Sequence, residues 1–419
     1  MDDTATVRML PCKRARQIKE MATFDLYLHL PRHIVAPAVR ERPFEVVSDY
    51  LTEEGLGDAF RATPSIGSDA APVDAERRIV RIVKYTELPN IEKQLSAIYL
   101  GTGSYGSEIS PSDSFRLLDR FVELGGTFID TAHVYGAWDS AGYNGGYGNS
   151  EKVIGEWLEK TGMRQAIAVG TKGGHPDLDT GVCRMNAKDI NAHISESLER
   201  LKSDSIDMYW LHTDEPSIPA GELLGMLAEH VAAGRLTAIG CSNWSIRRQK
   251  EASEAAVALG LPGFVASQVG WSFARATHSV HRPGHIDMLY MDPDMLQYHV
   301  ETGTPVAGYS SQGCGFFARK YDGLDFDSPD FPSPGLSARY GNDLSYSRRR
   351  AAVELAGEKG CSANQVALAW MIHHNFRVFP IASPNSPQQM DDTMRAGEIE
   401  LTDEEFTRLT CNPSGHGHE

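Results

Sequence analysis

Short apolar runs alternate with longer stretches of helical periodicity along most of the chain. Segments such as SDSFRLLDRFVEL and GELLGMLAEHVAAG repeat their apolar residues at the spacing of a helix face, which predicts amphipathic helices between strands. This alternation over eight repeats predicts an α/β fold, the (β/α)8 TIM barrel with parallel strands. The predicted strands cover residues 96–102, 126–130, 166–171, 205–211, 236–241, 263–268, 304–309 and 377–382.

The pattern also predicts elements beyond the eight repeats. Two helices, over 347–360 and 364–374, precede the last strand, although the repeat needs only one. The pattern over residues 401–409 predicts a final helix that begins with a threonine cap and an acidic first turn. The stretch RRIVRIVKYTEL (77–88) alternates as a strand or hairpin does and is a candidate to close the bottom of the barrel.

Composition narrows the class of protein. Apolar residues make up 41% of the 419 residues and charged residues 23%, so the chain can bury a full core. A net charge of −16 argues against nucleic-acid binding, which needs basic surfaces. The six cysteines form no CxxC pair, which suits a reducing compartment. No run of 18 or more apolar residues occurs, and no apolar stretch follows the basic residues near the start, so we expect neither a membrane span nor secretion. We therefore expect a cytoplasmic protein without a membrane segment.

Four polar residues follow the ends of consecutive predicted strands: Asp130 and Tyr135, then Lys172, then His212. Active sites of these barrels lie at the carboxyl ends of the strands, so we expect the four side chains to meet. A nearby ammonium lowers the pKa of a tyrosine, which makes Lys172 a partner for Tyr135 as proton donor. Asp130 would keep that lysine charged, and a neutral His212 would orient a substrate carbonyl. Because the set holds no nucleophile and no metal cage, hydride transfer from a bound cofactor is the reaction it fits.

These segments resemble the aldo-keto reductase superfamily. FIDTAHVYG, TKGG and LHTDEP carry the resemblance in order, and GCSNWS, ASQVGWS, GYSSQGCGFF and FPIASPNSPQQ extend it over residues 79–411. The resemblance implies an oxidoreductase that interconverts a carbonyl and an alcohol with NADP(H) or NAD(H). It implies Tyr135 as the general acid/base, tuned by Lys172 and Asp130, and His212 as the group that orients the carbonyl.

The resemblance also implies a cofactor site at the strand ends. Ser242, Asn243 and Gln268 would hydrogen-bond the nicotinamide carboxamide, and Tyr309 would stack on a ring. The glycine-bearing segment 310–315 would wrap a pyrophosphate. The complete set of candidate cofactor residues is Thr102, Ser242, Asn243, Gln268, Tyr309, Ser310, Ser311, Gln312, Gly313, Ser383, Asn385 and Gln389.

The adenine end departs from the family pattern. Asn385 stands where many members have an arginine or lysine that reaches the 2′-phosphate of NADP, and Thr393 replaces an expected asparagine. An uncharged asparagine cannot form the charge-assisted pair that separates NADP from NAD. Arg395 is a candidate substitute, so the preference between NADP(H) and NAD(H) stays open.

The sequence also suggests residues that would contact the substrate. Aromatic and acidic residues near the strand ends, above all Trp138, Asp214 and Trp244, favour a polar carbonyl compound such as a sugar or amino sugar. The alternative for Asp214 is that it caps the following helix or faces water. Three histidines, His278, His281 and His285, lack the spacing of a metal site, so we expect no metal.

Two alternatives compete with this prediction. GTGSYG (101–106) fits the dinucleotide-binding pattern G-x-G-x-x-G, but SEISPSDS follows it where a Rossmann fold needs a helix. The other alternative is a cofactor-binding regulatory or partner subunit on the same barrel, with little catalysis.

The chain divides into two predicted parts. Residues 79–419 form the barrel domain, and residues 1–78 form an N-terminal extension that the resemblance does not cover. An arm that packs on the barrel or joins a homo-oligomer and a partly disordered leader are equal alternatives for the extension.

Overall fold

A closed barrel of eight parallel strands forms the described part of the chain. The computed structural model describes residues 84–137, 146–277, 288–321 and 334–410. An antiparallel hairpin of β1 (Tyr85–Leu88) and β2 (Ile91–Ser96) precedes the barrel. Each barrel strand pairs with the next, and the last pairs with the first. The barrel strands are β3 (Tyr99–Gly101), β4 (Phe128–Asp130), β5 (Ala168–Gly173), β6 (Ile206–Leu211), β7 (Leu236–Ser242), β8 (Ser267–Gly270), β9 (Val306–Tyr309) and β10 (Val378–Ala382).

Helices connect the strands, as expected for right-handed crossovers between parallel strands. They are α1 (Pro111–Glu123), α2 (Asn149–Thr161), α3 (Ala187–Arg200), α4 (Ala220–Ala232), α5 (Ile246–Leu259), α6 (Pro293–Thr302), α7 (Pro334–Tyr340), α8 (Asp343–Lys359), α9 (Ala363–Ile372), α10 (Pro387–Met394) and α11 (Asp403–Thr410). The predicted barrel and its extra C-terminal helices are therefore confirmed. The sixth strand begins later than predicted, at Ser267.

The Rossmann alternative is excluded by this topology. The GTGSYG segment begins at the end of β3, and α1 starts only at Pro111, so no helix N-terminus follows its last glycine. All eight strands close into one barrel, whereas a Rossmann sheet stays open.

Local sequence explains where two helices begin. Thr402 and Glu405 exchange side-chain hydrogen bonds with each other's backbone N–H at the start of α11, as the threonine cap predicted. Asn149 is the first residue of α2 and does not cap it, because Gly148 precedes the helix with φ +74° and no side chain caps the helix. A Cβ at Gly148 would overlap the Arg200 side chain, so this turn requires glycine.

Large side chains fill the barrel interior. The ring of Tyr99 stacks on Phe128 at 3.8 Å and on Phe379 at 4.5 Å between ring centroids. Met208 and Trp210 from β6 complete this cluster and are fully buried. The interior is therefore a packed core, which leaves the strand ends as the place for chemistry.

The hairpin closes the amino end of the barrel. Leu88, Ile91 and Leu95 are buried against the interior cluster. Lys93 Nζ lies 2.7 Å from Asp207 Oδ1 and donates to the Ile167 carbonyl at 2.9 Å, at the starts of β6 and β5. Of the stretch 77–88 predicted as a strand or hairpin, Tyr85–Leu88 form β1, and residues 77–83 lie outside the described part. The second strand of the hairpin, Ile91–Ser96, lies beyond the predicted stretch.

No helix in the described ranges is long and apolar enough to cross a membrane. The extension over residues 1–78 also lies outside the described part, so its separation from the barrel stays a prediction.

We predict that Asp207→Ala lowers the free energy of unfolding by about 3 kcal/mol, because two half-buried cations lose their shared counter-ion. The Asp207 carboxylate lies 2.7 Å from both Lys93 Nζ and Arg164 Nη1, and it accepts a hydrogen bond from the Val169 N–H at 2.8 Å. Urea denaturation measures the change. Arg408→Gln, which breaks an exposed pair with Glu358, is the control and should cost less than about 1 kcal/mol. Equal losses in the two variants would contradict the prediction.

Candidate active site

The four predicted catalytic side chains meet at the carboxyl end of the barrel. Asp130 is the last residue of β4, Lys172 lies near the end of β5, and His212 directly follows β6. Tyr135 lies in a short turn after β4, in which its backbone N–H donates to the Ala132 carbonyl at 3.0 Å. Because these strands are parallel neighbours, their ends open onto one mouth.

A buried ion pair lies at the centre of this mouth. Lys172 Nζ donates to Asp130 Oδ2 at 2.6 Å and to the Thr131 carbonyl at 2.7 Å. The two side chains are 1% and 2% exposed. Gln268 Nε2 donates to the other carboxylate oxygen of Asp130 at 3.1 Å. Both charges therefore have close partners, which is the condition for keeping an ion pair in the interior.

The phenol of Tyr135 lies beside this pair. Lys172 Nζ is 4.6 Å from the centroid of the Tyr135 ring. Burial raises the pKa of Tyr135, and the charge of Lys172 works against that rise. Burial alone would lower the pKa of Lys172, but Asp130 and Tyr135 outweigh it and hold that pKa above its usual value. Burial also raises the pKa of Asp130, partly offset by Lys172. The site thus holds a proton on the phenol and a positive charge next to it.

His212 presents a neutral imidazole to the same place. Its ring meets Tyr135 edge-on at 5.8 Å and His175 at 5.0 Å between ring centroids. Burial, followed by the charges of His175 and Lys172, holds the pKa of His212 well below its ordinary value. Its Nδ1 is buried and has no hydrogen-bond partner among the described residues. A neutral imidazole here can donate one hydrogen bond to an oxygen without carrying a charge.

The strand ends of β7, β8 and β9 carry the residues predicted for the nicotinamide. Ser242, Gln268 and Tyr309 lie there, with Ser242 and Gln268 buried and the Tyr309 ring partly exposed. Asn243 has φ +62°, and its Nδ2 donates to the His212 carbonyl and Ser242 Oγ, both at 3.1 Å.

The amide oxygen of Asn243 is also occupied. It accepts from the Leu289 N–H at 3.1 Å and from the Tyr309 hydroxyl at 2.8 Å. An amide has two donor hydrogens and two acceptor lone pairs, and Asn243 uses all four. Its side chain therefore links the ends of β6, β7 and β9 by hydrogen bonds. A bound carboxamide would have to displace one of these bonds.

Other predicted cofactor residues link elements of the fold. The fully buried Thr102 hydroxyl donates to the Asp130 carbonyl at 2.9 Å, and that of Ser311 to the Ile381 carbonyl at 2.7 Å. Gln312 donates to Thr393 Oγ1 at 3.1 Å. The Thr393 hydroxyl is thus engaged by a side chain of the segment after β9.

The segment after β9 has an unusual backbone. Ser310, Gly313, Cys314 and Gly315 all have positive φ, from 53° to 87°. These residues curve the segment into a tight turn, in which the Gly313 and Gly315 N–H groups donate to the Ser310 and Gln312 carbonyls at 2.9 and 3.1 Å. Curved backbone of this kind can form a concave anion-binding turn.

The loop after β10 is exposed. Ser383, Asn385 and Gln389 lie on the surface, and Gln389 Oε1 accepts from the Asn385 N–H at 3.0 Å. Asn385 and Gln389 thus stabilise the start of α10, and Arg395 after this helix is exposed.

The predicted substrate residues differ from expectation. Asp214 accepts from Arg248 Nε and Nη2, both at 2.9 Å, so a buried guanidinium from α5 occupies its carboxylate. Trp244 is fully buried, and its Nε1 donates to the Thr213 carbonyl at 2.9 Å. The contacts of these two side chains are structural and do not support a substrate role. Trp138 lies outside the described residues, as do His278, His281 and His285.

One basic residue near the predicted pyrophosphate segment was missed by the sequence reasoning. Arg339 lies on α7, and its Nη1 is 3.5 Å from Cys314 Sγ. Nothing in the sequence marks it, because α7 belongs to no predicted repeat and the contact spans 25 positions. No cluster of metal-ligating side chains occurs within the described ranges.

Comparison with known proteins identifies the family. The model of the aldo/keto reductase family matches residues 97–411, three quarters of the chain, so this protein belongs to that family of oxidoreductases. The uncharacterized oxidoreductase YrpG of Bacillus subtilis is 26% identical over 333 residues, which cover 78% of this chain and 94% of YrpG. The aldo-keto reductase str7 of Strobilurus tenacellus is 28% identical over 312 residues, 74% of this chain and 83% of its own.

Solved structures show the same fold. An aldo-keto reductase from Klebsiella pneumoniae, crystallised in complex with NADPH, superimposes with a TM-score of 0.56 at 22% identity. The match covers 78% of this chain and 94% of that one. The barrel predicted from the repeat pattern is therefore the barrel of the family.

We predict that the protein loses stability as the pH falls below about 6.5, the pKa of an unfolded histidine. Burial lowers the pKa of His133, His193 and His212, to about 3 for His193. Between these values the unfolded chain binds protons that the folded chain does not, so folding weakens as the pH falls. The stability is fully present above pH 6.5.

Thermal unfolding from pH 7.5 to 4.5 measures this effect. His193→Asn removes this titrating group. Its loss of unfolding free energy between pH 7.5 and 4.5 should therefore be smaller than that of the wild type by on the order of 2 kcal/mol. A wild-type midpoint that rises toward pH 4.5, or an equal slope in the variant, would contradict the prediction.

Proposed function

We propose that this protein interconverts a carbonyl and an alcohol with a nicotinamide dinucleotide as cofactor. The observation that carries this proposal is the buried Asp130–Lys172 pair beside the phenol of Tyr135, with the neutral imidazole of His212 in ring contact. When bound, the nicotinamide supplies or accepts a hydride at carbon. The protein's own groups then handle the oxygen.

Tyr135 moves the proton in this proposal. In the direction of reduction it donates the phenolic proton to the substrate oxygen, and the Lys172 ammonium stabilises the phenolate that forms. Asp130 keeps the ammonium charged and fixed through its 2.6 Å contact. His212 donates a hydrogen bond to the same oxygen, which orients the carbonyl toward the phenol.

The residues present fit a dinucleotide. Gln268 and Ser242 provide polar groups at the ends of β8 and β7, and the partly exposed Tyr309 provides a ring face. The turn over 310–315 and the guanidinium of Arg339 would hold the phosphates, because an arginine forms charge-assisted bonds with phosphate oxygens. The family fold has been solved with NADPH in the Klebsiella protein, which supports the same class of cofactor here.

Turnover identifies the substrate class. A panel of polar carbonyl compounds, among them sugars and amino sugars, is compared with an aryl aldehyde as the apolar substrate. Activity with NADH and with NADPH should be compared for each. The rival function, a cofactor-binding subunit with little catalysis, requires tight cofactor binding with no turnover of any of these compounds.

We predict that Tyr135→Phe lowers kcat by about a thousandfold, because the ring stays in place while the proton donor is lost. The dissociation constant for NADPH, measured by fluorescence titration, should be unchanged. Tyr105→Phe is the matched control, since the Tyr105 hydroxyl is buried without a partner among the described residues. Turnover by Tyr135→Phe at the wild-type rate would place the proton donor elsewhere.

We predict that Arg339→Met weakens cofactor binding by roughly tenfold or more, because phosphate loses a charged donor. The kcat at saturating cofactor should change little. Arg247→Met, which removes an exposed arginine from α5, is the control. Equal affinities for the wild type and Arg339→Met would remove Arg339 from the cofactor site.

A further inference from the structure

A buried histidine on α3 holds the end of β5. His193 is 3% exposed, and its Nδ1 accepts the Gly174 N–H at 3.1 Å. Gly174 lies two positions after Lys172 and has φ +81°, and a Cβ there would overlap the Met185 side chain. The turn that ends β5 is therefore fixed by a glycine and by one acceptor nitrogen.

A second histidine holds the end of β4. His133 lies between Asp130 and Tyr135, and its backbone N–H donates to the Lys172 carbonyl at 2.9 Å. Its Nε2 lies 2.7 Å from Glu196 Oε2 on α3, so the imidazole donates to that carboxylate. One residue thus links the tyrosine segment, the lysine strand and the helix.

The two histidines form one unit. Their rings lie 4.0 Å apart between centroids at an interplanar angle of 34°. His193 and Glu196 are three positions apart on α3, so they project from the same face of the helix. Burial lowers the pKa of both histidines, and the two neutral rings can pack without charge repulsion.

A second set of hydrogen bonds connects α3 to β5, the strand that carries Lys172. Arg200 Nη2 bonds Glu196 at 2.9 Å, and its Nη1 bonds the fully buried Glu151 at 3.2 Å. Glu151 in turn accepts from Thr171 Oγ1 at 2.6 Å, and Thr171 directly precedes Lys172. The network therefore begins and ends at the two segments that carry Lys172 and Tyr135.

We infer that His133 and His193 are positioning residues, through which α3 sets the distance between the Tyr135 segment and the Lys172 strand. This inference rests on the proposed function, since it assigns the pair to the proton-transfer geometry of that site. Their imidazole rings bond to α3 and to the Gly174 amide, and they act through Lys172 and Tyr135. A small displacement of reacting groups is costly, because rates depend steeply on near-attack geometry.

Paired variants test the inference at each histidine. His193→Leu removes the acceptor for Gly174, whereas His193→Asn keeps an acceptor oxygen near the position of Nδ1. His133→Leu removes the donor to Glu196, whereas His133→Gln keeps a donor near the position of Nε2. We expect each leucine variant to lower kcat about tenfold or more, with the cofactor KM unchanged, and each amide variant to recover most of it.

A structural control separates positioning from general stability. His299 on α6 is also buried, and its Nδ1 bonds the Thr304 carbonyl just after its own helix at 3.0 Å, so it has no bond to α3. His299→Leu should lower the unfolding midpoint as His193→Leu does but leave kcat within about twofold of wild type. A matching loss of kcat in His299→Leu would overturn the inference, as would failure of both amide variants to recover activity.

Hydrogen exchange provides a readout that needs no turnover. The Gly174 amide should exchange faster in His193→Leu and remain protected in His193→Asn, because a hydrogen-bonded amide exchanges only when it opens. Unchanged protection in His193→Leu overturns the inference. If the wild type reduces no carbonyl while this exchange pattern holds, the proposed function fails and the structural link between α3 and β5 stands.

Discussion

The buried contact between Asp130 and Lys172 is the constraint on which the rest of the mouth depends. Two opposite charges at 2.6 Å, almost without exposure, are tolerated only if each has further partners. Those partners come from different elements: the Thr131 carbonyl after β4 and the Gln268 amide on β8. Because the partners come from β4, β5 and β8, both charges are satisfied only where the barrel is closed in this register. The same contact therefore links the closure of the barrel to the arrangement of the candidate site.

Much of this arrangement could be predicted, and the reason is local. Each of the four predicted catalytic residues lies at or just after an apolar run, so predicting the strand ends also predicts the candidate site. The strands themselves follow from periodicity, although β8 starts at Ser267 and not at residue 263. Val265 and Ala266 already exchange backbone hydrogen bonds with β7, so the difference concerns the first residues of that run. The cap of α2 could not be predicted from Asn149, since contact with the distant Arg200 selects Gly148 instead.

What the sequence could not predict depends on contacts between distant positions. Asp214 looks available for a substrate until Arg248, 34 positions later, folds against it. Trp244 looks like part of a pocket wall until its indole finds the Thr213 carbonyl and becomes part of the core. Arg339 and the histidine pair were missed for the same reason, because their partners are brought together only by closure of the barrel. The type of a residue makes its side chain a candidate for binding a ligand. Contacts in the folded structure determine whether the polar groups of that side chain are free to do so.

The hairpin at the amino end has a consequence for where the domain begins. The family match starts at residue 97, yet Leu88, Ile91 and Leu95 seal the interior cluster from below. A chain shortened to that match would expose Phe128, Met208 and Phe379 to water at one end, and Asp207 would lose Lys93. The smallest folding unit is therefore larger than the region that the family model matches, and its lower boundary is set by this hairpin.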